Sequence, residues 1–200
     1  MSRFYSFAKG LLGPVLRLVF RFDVHGSANL PDNAAIVVCN HISNWDVLAL
    51  SCVMDRQIRY MAKQELFKNP IVRRVIEGLG AFPIDRGSAD VAAIRKSLEI
   101  LSDGGVVGIF PQGTRVKDDS SFEVAGGVAM IALRSHAEIV PVHIRGPYKP
   151  FSRVRIDIGE AYTPAPEGTR VSRELITGVS EGVAARVNEL KARSMSAREE

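Results

Sequence analysis

The stretch NHISNWD, residues 40 to 46, follows the apolar run AAIVVC and carries one histidine and, five positions later, one aspartate. An imidazole beside a carboxylate is the pairing a general base needs. The carboxylate accepts a hydrogen bond from one ring nitrogen and fixes the tautomer, and the other nitrogen is left to take a proton. On a single helix an offset of five rotates two side chains by about 140°, so His41 and Asp46 can meet only across a turn. If a strand ends near Asn40 and Ser43 or Asn44 caps a helix, Asp46 falls in the first helical turn and can face back toward His41. Each residue alone also has a plainer account. An acid in a first turn favours the helix macrodipole without any further role, and a loop imidazole can be satisfied locally.

Two other short segments could serve an anion. In FPQGTR, residues 110 to 115, proline and glycine set a tight turn after an apolar run. Backbone N–H groups, the Thr114 hydroxyl and the Arg115 guanidinium could converge there on a phosphate. In AFPIDR, residues 81 to 86, Asp85 and Arg86 follow another apolar run, and they could equally cap or pair with each other. No H-E-x-x-H or C-x-x-C is present, and His25, His136 and His143 are widely spaced, so no metal framework is read. There is no G-x-S-x-G elbow either. A histidine base here would act on a nucleophile that the substrate supplies.

These residues need elements to position them. Strand-like runs occur at 34–39, 58–62, 81–84, 106–110, 138–144 and 153–159, with helical patterns at about 45–54, 69–79, 88–103, 125–135 and 170–193. The alternation predicts an α/β fold with a mostly parallel central sheet flanked by helices. His41 and Asp46 follow the first run, Asp85 and Arg86 the third, and PQGTR the fourth. In open α/β sheets ligands collect outside the carboxyl ends of the strands, so parallel strands would bring the three segments to one edge.

At 200 residues, 46% hydrophobic and 24% charged, the chain suits one globular domain. Its net charge of +4 is compatible with anionic partners and is equally that of an ordinary solvated surface. Cys39 and Cys52 are too few for a disulfide framework and are read as buried thiols in a reducing compartment. Residues 1–22 contain Arg3, Lys9, Arg17 and Arg21 and no acid. A helical wheel puts these cations on one side with Ser6, Gly10 and Gly13, and Phe4, Phe7, Leu11, Leu12, Val15 and Val19 on the other. Such a helix either packs on the protein's own core or lies in a membrane surface, and the second placement is the expectation. Charges and Pro14 break the segment too often for a bilayer span, and Pro14 is expected to kink it or split it in two. Residues 194–200 read as a flexible tail.

The motifs, taken in order, resemble those of the glycerolipid acyltransferases, specifically the 1-acylglycerol-3-phosphate O-acyltransferase, or lysophosphatidate acyltransferase, family. NHISNWD is similar to the family's N-H-x-x-x-x-D signature, GAFPIDR to its second motif, FPQGTR to its F-P-E-G-T-R motif and IVPVHIRG to its closing V-P-V strand. MAKQELF (61–67) and GGVAMIALRSHAEIVPV (126–142) also resemble its intervening segments, so the likeness runs from about residue 25 to 160. It implies a membrane-interface arm at 1–22 and an acyltransferase domain at 23–193.

The resemblance further implies that His41 is the general base and that Asp46 orients and polarises it. Arg86, Gly113, Thr114 and Arg115 would hold the substrate phosphate, with Lys63 a further candidate, while Asn40, Asp85, Gln112 and Pro141 would support the motifs. The acceptor would be a lysophospholipid and the donor a coenzyme A or acyl-carrier-protein thioester. No cofactor, metal or nucleic acid is implied. The protein would be membrane-associated at the cytoplasmic face, through its arm, on anionic lipids. Gln112 departs from the family's usual glutamate, and VAGG (124–127) lacks a basic residue often found before Gly127. Two further readings stay open: the same chemistry on another lysolipid, such as a lyso-ornithine lipid, and an inactive membrane-binding relative.

Overall fold

The computed structural model describes residues 3–26, 31–84, 91–113, 115, 122–166 and 168–196. Helix α1 (Arg3–Phe20) leads into strand β1 (Phe22–His25), followed by β2 (Ala35–Cys39), α2 (Trp45–Val53) and β3 (Ile58–Lys63). A 3-10 turn at Gln64–Phe67 precedes α3 (Pro70–Gly78), β4 (Phe82–Ile84), α4 (Val91–Ser102), β5 (Val106–Ile109) and α5 (Gly126–Ser135). Strands β6 (Glu138–Arg145) and β7 (Val154–Ile158) and the long helix α6 (Arg173–Ser196) complete the described chain.

Among the described residues the strands form one sheet in the order β1-β7-β6-β2-β5-β3-β4. The neighbours β6, β2, β5, β3 and β4 are all parallel, and β7 pairs antiparallel with β6 and parallel with β1. The sheet is therefore mostly parallel and flanked by helices, as the alternation predicts. Strand β2 explains why: every residue of AIVVC is buried, which a strand covered on both faces requires. Ile36 and Val38 face a cluster built with α4, α5 and α6, and Ala35, Val37 and Cys39 face a second cluster built with α1 and α2.

The six strand-like runs all become strands. Strand β1, in FDVH, escapes sequence reading because its four half-exposed residues have no long apolar run and pair only with β7, at an edge. The last helix continues three residues past 193 to Ser196, and Ser194 is buried. Of the expected flexible tail, residues 197–200 lie outside the described residues. Helix α1 is continuous through Pro14, so of the two expected effects, a kink or a split, the split does not occur.

The arm packs on the body through one side only. Helix α1 buries Tyr5, Gly13, Leu16 and Phe20, and two of its cations, Lys9 and Arg17, reach the body beside them. Arg17 Nη2 donates to Cys52 O at 2.7 Å and Lys9 Nζ donates to Met54 O. These are the carbonyls left over at the C-terminal end of α2, where cations are favoured. Phe4, Phe7, Leu11, Leu12, Val15 and Leu18 are exposed instead. Lys9 and Arg17 therefore serve α2, and large apolar side chains of α1 are left exposed.

Gly108 in β5 is the tightest point of the sheet near its carboxyl edge. A Cβ there would lie 2.4 Å from Tyr60 Cε1 and 2.7 Å from Ile58 Cγ2. The ring of Tyr60 fills the space that Gly108 leaves. Gly108→Ala is expected to destabilise the protein by about 1–3 kcal/mol through overpacking, measurable as a lower urea midpoint at unchanged m-value.

Candidate active site

The candidate site forms where the strand order reverses. The chain leaves β2 toward β3, β4 and β5 on one side and crosses to β6 on the other, so the carboxyl ends of β2 and β5 border a switch point. The loop after β2 carries His41, and the loop after β5 carries Phe110, Gln112 and Arg115.

His41 and Asp46 meet across the turn: His41 Nδ1 lies 2.8 Å from Asp46 Oδ2. The same oxygen accepts the backbone N–H groups of Ile42 and Ser43, both at 2.8 Å. Asp46 is in the first turn of α2 and is fully buried. The side chain of the N-cap residue Asn44 makes no cap hydrogen bond, and Ser43 Oγ accepts from Trp45 N at 3.3 Å. The acid thus curls back and gathers the loop's donors, which satisfies a carboxylate that burial would otherwise penalise. With Nδ1–H donated to Asp46, His41 Nε2 keeps its lone pair.

Other contacts hold the imidazole's surroundings. Its ring stacks on Phe110 at 4.3 Å and 24°, and Phe110 stacks on Tyr60 at 5.9 Å and 10°. Gln112 Oε1 accepts from His41 N at 3.1 Å, bridging the two loops. Asn40 does more than shape a turn. Its Nδ2 donates to Ile144 O at 2.8 Å and its Oδ1 accepts from Ile144 N at 2.7 Å, which continues the β2–β6 pairing past Cys39. Burial, and then the nearby Asp46 charge, push the Cys39 thiol well up. That thiol stays protonated and is no nucleophile.

A cavity of about 720 Å³ lies between α1, α2 and β3, with His41, Lys63 and Arg115 in its wall. Leu12, Leu16, Leu48, Met61, Ile76 and Leu79 supply apolar lining. Of the residues singled out in the sequence, the cavity brings together His41, Lys63 and Arg115. Gly113 adopts φ +67° in the turn after β5, with its N–H donated to Phe110 O at 3.1 Å, a conformation that favours glycine. Pro141 is buried inside β6, opposite Val38, and its carbonyl accepts from Gly159 N at 2.8 Å; it belongs to the sheet. Asp85, Arg86 and Thr114 lie outside the described residues. Phe110 and Tyr60, which support the imidazole, were missed by sequence reading. The place of Phe110 at the head of FPQGTR was the available signal. Among the described residues no His, Cys, Asp or Glu cluster could hold a metal ion.

Residues 21–145 match the family model described as Acyltransferase. The chain is 32% identical over 196 residues to the 1-acyl-sn-glycerol-3-phosphate acyltransferase of Bacillus subtilis (strain 168), covering 94% of this chain and 96% of that protein. This protein belongs to the acyltransferase family. A second family member, the 1-acyl-sn-glycerol-3-phosphate acyltransferase of Streptococcus pneumoniae, is 34% identical over 167 residues, which is 78% of this chain and 60% of that one. Among solved acyltransferases, the crystal structure of the 1-acyl-sn-glycerophosphate acyltransferase PlsC from Thermotoga maritima superposes with a TM-score of 0.66 at 29% identity. It covers 94% of this chain and 83% of that one.

Asn40→Ala in this acyltransferase leaves the buried Ile144 N–H and C=O without these partners. The variant is expected to lose roughly 2–3 kcal/mol of stability, read as a lower thermal midpoint, and to loosen the loop that carries His41.

Proposed function

We propose that the protein transfers a fatty acyl group from a coenzyme A or acyl-carrier-protein thioester to the free hydroxyl of 1-acylglycerol-3-phosphate, giving phosphatidic acid. The observation that carries this reading is the His41–Asp46 contact in the wall of a largely apolar cavity that also holds Lys63 and Arg115. Relatives named for the same activity across most of the chain support it.

In this reading His41 Nε2 takes the proton from the acceptor hydroxyl as its oxygen attacks the thioester carbonyl. The tetrahedral intermediate collapses, the C–S bond breaks, and the imidazolium returns the proton to the departing sulfur. Ester and thiol leave, and no acyl-enzyme is needed. Asp46 holds the ring's tautomer and offsets the imidazolium charge. Lys63 and Arg115, in the cavity wall, bind the acceptor phosphate, and the family motifs assign Gly113, Thr114 and Arg86 to the same group. The apolar walls take an acyl chain, in a volume ordinary for ligand pockets. Gln112 uses a carbonyl oxygen to accept from His41 N, a contact that a glutamate carboxylate would make in the same way. Its presence therefore favours a working site over an inactive relative.

No described helix is long and apolar enough to cross a membrane. We infer a monotopic placement at the cytoplasmic face, with the exposed apolar surface of α1 in an anionic leaflet. Both substrate and product are lipids, so docking there spares the extraction of an acyl chain into water.

Two measurements test this reading. With labelled oleoyl thioester and a panel of lyso-acceptors, wild-type protein is expected to favour lysophosphatidate, and His41→Ala to lose roughly 10²-fold or more of the rate. Undiminished transfer by that variant removes the base. The double variant Phe7→Ser/Leu18→Ser alters side chains that are 69% and 70% exposed. It should keep its thermal midpoint while sedimentation with anionic liposomes falls about tenfold or more, since each side chain withdrawn from the interface forfeits about 1.5–3 kcal/mol at most.

A further inference from the structure

The chemistry above leaves two enclosed oxygens beside the base unused, Asp46 Oδ1 and the Tyr148 hydroxyl. Each is buried and lacks a hydrogen-bond partner at standard geometry. The phenol ring is tied to the segment around Asp46 through shared neighbours. Phe20 meets it edge-on at 5.3 Å and 87°, and Phe20 also packs on Trp45 at 5.1 Å. At Gly146 a Cβ would touch both Ile42 Cδ1, at 3.4 Å, and Tyr148 Cδ2, at 4.0 Å. Phe20 thus links Tyr148 to Trp45 and Gly146 links it to Ile42, and between Ile42 and Trp45 runs the chain that Asp46 gathers through Ile42 N and Ser43 N.

The titratable groups facing this spot are His41 on the loop, Cys39 at the end of β2 and Tyr60 on β3. Burial keeps Cys39 and Tyr60 protonated, so Asp46 is the anion the phenol meets. Burial first, and then the Asp46 charge, push the Tyr148 phenol far up. It therefore remains a donor at any working pH.

We propose that Tyr148 is a positioning residue for the transfer reaction, its hydroxyl donating to Asp46 Oδ1 so that the carboxylate stays ionised and aimed at His41 Nδ1. This rests on the reading of His41 and Asp46 as the reaction's base. The hydroxyl stabilises the proton-free form of the pair, so its removal makes the pair hold a proton more tightly. The sign follows: without the hydroxyl, activity should disappear at a higher pH on the acidic side.

The test compares the full-length protein with Tyr148→Phe, which keeps the ring. Two curves are recorded: the pH–rate profile with oleoyl thioester and lysophosphatidate in mixed micelles, and the NMR titration of the His41 ring without substrates, assigned with His41→Ala. Tyr148→Phe is expected to move both curves to higher pH by about half a unit or more. It should lower kcat several-fold to roughly tenfold and leave KM for both substrates within about twofold. Replacing Tyr148 by 3-fluorotyrosine, a stronger donor, should move both curves the other way.

Coincident curves for wild type and Tyr148→Phe overturn the proposal, as does a fall in kcat with neither curve displaced. If wild-type protein transfers no acyl group while the NMR curve still moves, the assigned function fails and the placement of Tyr148 stands.

Discussion

A single carboxylate oxygen organises the site. Asp46 is sealed from solvent, and an ionised group in that position is several kcal/mol unfavourable unless donors surround it. Oδ2 collects three of them, Ile42 N, Ser43 N and His41 Nδ1. The two backbone donors can reach one oxygen only if the chain between β2 and α2 wraps over the start of the helix, and that wrap delivers the imidazole. Loop conformation and dyad geometry are thus one solution to one electrostatic demand. An alanine at 46 would remove both together, which makes folding and chemistry hard to separate there.

The sheet supplies the rest of the frame. Strand β2 is central and covered on both faces, so the point where its carboxyl end emerges is fixed by packing on either side. Gln112, reaching from the loop after β5 to His41 N, ties the second loop to the first. The stack of Tyr60, Phe110 and His41 carries that rigidity outward, and Gly108 makes room for the outermost ring. Position is built from rigid elements and short bridges, the arrangement that keeps a catalytic group within a fraction of an ångström of its working place.

Much of this was legible in the sequence for physical reasons. Buried parallel strands read as continuous apolar runs, and AIVVC and VVGI are such runs. The offset of five between His41 and Asp46 already required a turn, and the turn is there. Edge strand FDVH was not legible, because its stability comes from pairing with β7, more than a hundred residues away in sequence. The aromatic support of His41 was hidden for the same reason, since Tyr60 lies on a different strand. Gln112 looked like a loss of charge, and only tertiary structure reveals that its carbonyl oxygen makes the contact that matters. The role of Lys9 and Arg17 was not legible, because a helical wheel shows which residues share a side but not that the carbonyls ending α2 face that side.

That last point bears on how the arm works. A polar stripe on a terminal helix is ordinarily given to water, and the apolar stripe to the core. Here the C-terminal carbonyls of α2 lie under the arm and lack donors of their own, so Lys9 and Arg17 are drawn inward to meet them. Tyr5, Leu16 and Phe20 pack around these bonds. What remains for the outside is Phe7, Leu11, Val15 and Leu18, a surface that water disfavours. In the proposed docking the bilayer covers it, and the cavity between α1 and the body, with His41 in its wall, then opens beside the leaflet from which an acyl chain would come. Phe20 closes the circuit: the residue that ends the arm packs on both Trp45 and Tyr148, so the helix that the proposed docking gives to the lipid is the one that braces the loop carrying His41.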